Sequence, residues 1–144
     1  MTSPASRVAI GVTLYLLLAM SLYGFRLLVD GGPIPLWFAI AKGLGEAILS
    51  VGPGFLVGWL SRERGLMLGA AAGAIGALVS TTAIFYHWNL PPPGGFVEPM
   101  SAEVFWHLAV GFALAALAAA LTNAISGIAG AAVRRHAQPH GVAP

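Results

Sequence analysis

The stretch LWFAIAKGLGEAILSVGPGFLVGWL, Leu36 to Leu60, decides the fold. Across it only Lys42 and Glu46 are charged, and no polar/apolar alternation of the kind a half-buried strand needs is present. A helix of that length covers about 37 Å, more than the roughly 30 Å of a bilayer's hydrocarbon core. Without water, a spanning segment must satisfy its own backbone groups, which an isolated strand cannot do. The segment therefore reads as a transmembrane helix.

The same reading extends outward to three further apolar runs, from about Val8 to Val29, from about Leu66 to Trp88, and from Ser101 to Val133. Of the 144 residues, 58% are hydrophobic and only 8% charged, with a mean hydropathy of +0.83. Soluble domains carry about a quarter charged residues, so the solvent expected here is lipid. The expected fold class is all-α: an integral membrane four-helix bundle with up-down-up-down topology. One domain would cover 1–135, with spans near 8–29, 36–60, 66–88 and 103–125. The last span would carry a cytoplasmic extension to 133, and residues 136–144 would form a disordered tail.

Orientation follows from the basic residues. Arg7, Arg62, Arg64, Arg134 and Arg135 fall on one side of a four-span threading, and Arg26 and Lys42 toward the other. Positive residues favour the cytoplasmic side, which would place both termini and the Ser61–Gly65 turn in the cytoplasm and the 89–100 loop outside, in a chain spanning the cell's inner membrane. An alternative for the first segment is a signal peptide, with Ala19-Met20-Ser21 as a small-x-small cleavage site. The apolar run continues past it to Val29, which argues for a retained helix. The Ser61–Gly65 and Asp30–Pro35 connections are short, so sequential helices should be antiparallel neighbours.

Cysteine is absent, which excludes disulfides, thiolate metal sites and cysteine nucleophiles. The pI near 9.5 comes from seven basic residues spread along the chain without a stripe, so no nucleic-acid partner is expected. Neither a nucleophile triad nor a phosphate loop nor a nucleotide fingerprint is present, and binding or transport is expected in preference to an enzyme's chemistry.

Glu46 is the strongest single signal. An unpaired charge at the centre of a spanning helix costs about 3 kcal/mol on insertion scales, so it must be paired, neutralised or hydrated. Lys42 lies one turn earlier on the same face, and Arg26 can approach from the first helix. The functional reading is a proton- or ion-coupled site, or a solute-binding carboxylate. The structural reading is a Glu46–Lys42 pair that fixes helix register. Arg26 has a further ordinary explanation, an interfacial pair with Asp30 one turn on.

Glu103 and His107 are four residues apart, so they share a helical face. A carboxylate there could orient the imidazole or share a metal with it. With His87, and with Glu98 and Asp30 on the same side, the set could hold zinc or a non-haem metal, or His87 and His107 could ligate haem b. Such sites have no specific motif here. The flanking Tyr86, Trp88, Phe96, Phe105 and Trp106 are what an aromatic membrane belt contains, so no cofactor is favoured. The Pro91-Pro92-Pro93-Gly94-Gly95 run is a stiff segment followed by a hinge, able to fold over the mouth of the bundle.

Small residues form stripes: Gly69, Gly73 and Gly76 on the third helix, Gly54 and Gly58 on the second, and Gly111, Ala115 and Ala118 on the fourth. In lipid, close backbone approach drives helix association. The stripes would pack within one bundle, or the Gly69–Gly73–Gly76 stripe would join a homo-oligomer or a larger membrane complex. Gly52-Pro53-Gly54 predicts a kink, and Asn123, Ser126 and Gly127 a break in the long fourth helix. Ser80, Thr81 and Thr82 are expected to bond back to the preceding turn.

The favoured function is an outward-opening polar site for small-solute or ion/proton-coupled transport or binding, built from Glu46, Lys42, Arg26, Glu103 and His107. The alternatives are a non-catalytic accessory or scaffold subunit, and a His-ligated metal or haem protein using His87, Glu103 and His107.

Overall fold

The computed structural model describes residues 3–29, 36–61, 63–89 and 101–137. All secondary structure in them is helical: α1 (Pro4–Val29), α2 (Leu36–Ser61), α3 (Gly65–Asn89) and α4 (Ala102–Ala137). All four are long and apolar enough to cross a membrane. The arrangement is compatible with a helical bundle.

Local chemistry sets several helix ends. The Ser3 hydroxyl accepts the Ser6 N–H at 3.1 Å, an N-cap with Pro4 at the first helical position, where its missing donor is not needed. Ser101 does the same for Val104 N–H at 3.3 Å, with Glu103 in the first turn of α4. Arg134, Arg135 and His136 occupy its last turn, where positive charge suits the helix dipole. At the end of α2 the Trp59 carbonyl has no helical donor of its own, and Arg134 Nη1 donates to it at 2.7 Å.

The contacts have a consistent sense. Along α3 and α4, Gly65 meets Gly127, Gly69 meets Asn123 and Gly73 meets Ala119, so one chain ascends as the other descends. Along α2 and α4, Gly54 meets Asn123 and Gly58 meets Gly127, both ascending. Gly11 of α1 lies against Val57 and Ala72, and Gly45 of α2 against Leu22. The backbones of α1 and α4 do not approach one another among the described residues.

This is where the small residues act. A Cβ on Gly54, Gly58, Gly69 or Gly73 would collide with α4 backbone, and one on Gly76 would stand 2.5 Å from Tyr15 Cγ. The Gly69–Gly73–Gly76 stripe is thus occupied inside the chain. The interior is correspondingly small-sided, with Ala72, Val57 and Asn123 all fully buried. Large apolar side chains such as Leu17, Met67, Leu121 and Ile125 point outward. Without water, dispersion between closely approached backbones is what such a seam supplies.

The break expected in α4 is absent, and the Pro53 segment of α2 stays helical. α2 is helical through Pro53, which is buried, and the next donor along, Gly54 N–H, is given to Asn123 Oδ1 at 2.7 Å. α4 is continuous through Asn123, Ser126 and Gly127, all three buried against α2 and α3. Asn123 Nδ2 also donates to Ala119 O at 2.9 Å, so its amide serves both helices. The tail expected from 136 is helical to Ala137, and the rest of it lies outside the described residues.

Candidate functional site

Three helices enclose a cavity of about 310 Å³. From α1 come Tyr15, Ala19, Leu22, Tyr23 and Arg26, spaced by fours and threes along one helical face. From α2 come Lys42, Glu46 and Leu49, again one face, and from α3 come Ser80 and Ile84. The helices are held here by glycine: Gly45 admits Leu22, and Gly76 seats the Tyr15 ring.

Lys42 Nζ donates to Glu46 Oε1 one turn along α2. The two side chains remain 45% and 54% exposed. Both partners belong to α2, so the pair ties no helix to another. Arg26 is exposed and lines the same cavity. The expected Arg26–Asp30 pair lies outside the described residues, as do Glu98, the proline run and the loop containing them.

Glu103 and His107 are exposed in the first turns of α4 and do not line this cavity. The His107 ring nitrogen Nδ1 donates to the Glu103 backbone carbonyl at 2.8 Å, so the imidazole is oriented by main chain where a carboxylate partner was expected. His87 is exposed near the end of α3, with its ring edge-on to Tyr23 at 5.7 Å. Among the described residues, no three histidine or carboxylate side chains come together to hold a metal. Of the five expected site residues the structure thus joins three, Arg26, Lys42 and Glu46, and leaves Glu103 and His107 apart from them.

A second cavity, about 220 Å³, adjoins the first. Tyr15 and Leu49 line both, so these two side chains form the partition between them. The smaller chamber is uncharged: Ser50, Thr122 and Asn123 supply its polar atoms and Ala115, Ala118 and Ala119 its apolar wall. Its hydroxyl protons are engaged, Ser50 Oγ donating to Glu46 O at 2.8 Å and Thr122 Oγ1 to Ala118 O at 3.0 Å. Ser80 and Thr81 bond back to the Ala77 carbonyl, as their position in a helix predicts.

Tyr15, Tyr23, Leu49 and Asn123 are missing from the site as read in the sequence. The signal available was spacing: Tyr15, Tyr23 and Arg26 share a face of α1. Comparison with protein-family models, curated proteins and solved structures finds no match for this chain.

Proposed function

We propose that this chain is a four-span inner-membrane protein whose charged cavity, lined by Arg26, Lys42 and Glu46, is an outward-opening site for binding or transporting a small solute, coupled to an ion or proton at Glu46. The observation that carries the reading is convergence. The charged residues of α1–α3 are Arg7, Arg26, Lys42 and Glu46, and all but Arg7 line one cavity, Arg26 from the last turn of α1. A charge facing hydrocarbon costs about 3 kcal/mol, whereas one facing a wet cavity avoids most of that. Placing all three around one space is what a polar site in a membrane needs.

The up-down-up-down course is supported by the opposed contact order of α3 with α4 and by the short connections between sequential helices. Positive residues set the direction: Arg7, Arg64, Arg134 and Arg135 gather toward one end, which the positive-inside rule makes cytoplasmic, as for both termini. The mouth beside Arg26 and Lys42 then faces outward. The glycine seam of α2, α3 and α4 lies toward the other end.

An accessory-subunit role is the second reading. Its support is the broad apolar surface outside the bundle, on residues such as Leu17, Leu36 and Ile125. Proteoliposomes containing a pH-sensitive dye separate the two. Challenged with small anions, cations and neutral solutes, the wild-type protein should move protons with one of them, and Glu46→Gln should not. Proton movement with none of them, together with a chain that co-purifies at fixed stoichiometry, would establish the accessory role.

A further inference from the structure

We infer that the charged cavity takes small organic monoanions, with the Arg26 guanidinium as the group that binds their charge. The inference rests on the cavity being a solute site and names what the solute is. The described lining carries two basic groups and one acidic group, Arg26 and Lys42 against Glu46. Glu46 is met by Lys42, in contact one turn away on the same helix. Arg26 lines the cavity with no ion pair to either.

Among the described residues of the lining Arg26 is the cation without an acidic partner, and its identity matters. A lysine can escape a poor environment by losing its proton, but arginine stays ionised. Its charge must be met by water or by an anion, and the guanidinium fork matches a carboxylate's two oxygens. Among the described residues, a cation entering the same mouth would meet a net positive lining and one carboxylate, already paired.

Leu22, Leu49 and Ile84 complete the wall and give an apolar body somewhere to lie. The volume, about 310 Å³, is at the small end of ligand sites and suits a compact molecule. The shared chemistry is one negative charge on a small apolar body. It could be supplied by a dissolved carboxylate or by the headgroup of an anionic lipid at the cavity mouth.

The test uses the full chain in phosphatidylcholine nanodiscs. Benzoate, benzyl alcohol and benzylammonium share a ring and differ in charge, and calorimetric titration compares them. Benzoate should bind roughly tenfold tighter than either of the others, the scale of one charge-assisted hydrogen bond. Arg26→Gln should remove that advantage. Glu46→Gln should strengthen benzoate binding, because it frees Lys42 and adds one net positive charge to the lining. That sign is independent of the loss of proton coupling expected from the same variant, and it decides the matter if Arg26→Gln fails to fold.

Preference for benzylammonium, or weaker benzoate binding in Glu46→Gln, would overturn the inference while leaving the cavity a solute site. Binding of none of the three by wild type or variants would remove the solute site itself. Nanodiscs doped with phosphatidylglycerol distinguish the source. Loss of benzoate binding there, with the wild-type Arg26 present, makes the lipid headgroup the resident anion. Unchanged binding makes it a dissolved carboxylate.

Discussion

Gly58→Ala is the substitution whose effect the packing defines best. A Cβ at Gly58 would stand 2.6 Å from the Gly127 carbonyl carbon and 2.7 Å from its Cα, and closer still to its oxygen. Carbon atoms rest about 3.5–4.0 Å apart, so the two backbones must separate by about 1 Å. No flexible side chain is available to yield, because both surfaces are main chain. The neighbouring contacts would open together, including Gly54 against Asn123 and Gly130 against Phe55. The bond from Gly54 N–H to Asn123 Oδ1, 2.7 Å in length, would be drawn toward the limit of a useful hydrogen bond. Overpacking of this kind costs about 1–3 kcal/mol, and an interhelical bond in a membrane adds about 0.6–1.7 kcal/mol. The expected loss is therefore about 2–4 kcal/mol. Gly43→Ala is the control: it makes the same chemical change in the same helix, but a Cβ there meets nothing within 4 Å. It should be neutral or stabilise, by up to about 1 kcal/mol from helix propensity. Reversible denaturation in mixed micelles, followed by tryptophan fluorescence and by circular dichroism, measures both. If Gly58→Ala falls within about 0.5 kcal/mol of Gly43→Ala, the close α2–α4 seam does not exist as described.

Three further outcomes follow from named contacts. Asn123→Ala removes the amide that serves α2 and α4, and should lower stability by about 1–3 kcal/mol, read by the same denaturation. Arg134→Gln deprives the Trp59 carbonyl of a charged donor. It should lower stability by about 1–2 kcal/mol and speed amide exchange in the last turn of α2. Lys42→Met combined with Glu46→Gln should leave the denaturation midpoint close to wild type, because the pair lies within one helix and joins no two elements. A large drop would restore the reading in which that pair fixes helix packing.

The four helices were legible because hydropathy over a bilayer's thickness is a strong, local signal. The cavity's charged residues were legible for a related reason. Lys42 and Glu46 are one turn apart, and a charge in an apolar helix has few places to go. What could not be read was which neighbour each face would meet. The Gly69–Gly73–Gly76 stripe announces a close approach without saying whether α4, Tyr15 or another molecule makes it. Glu103 and His107 share a face as their spacing implies, yet the imidazole takes the nearer backbone carbonyl, which competes locally with any carboxylate. Asn123 reads as a helix breaker from its residue type. In the fold its amide instead receives a donor from beside Pro53, a pairing across 69 residues that no local pattern contains.

The central claim is that a polar, outward-opening cavity lies among helices that are otherwise sheathed in lipid. The chain has no cysteine, so single-cysteine variants report one position each. Leu49 and Ile48 are adjacent near the middle of α2, the first lining the cavity and the second exposed at 53% on the outer face. A membrane-impermeant thiol reagent applied to the outside of sealed cells needs water and a thiolate to react. The account predicts that Leu49→Cys is labelled and Ile48→Cys is not until detergent is added. Equal protection of both, or faster labelling of Ile48→Cys, would contradict it.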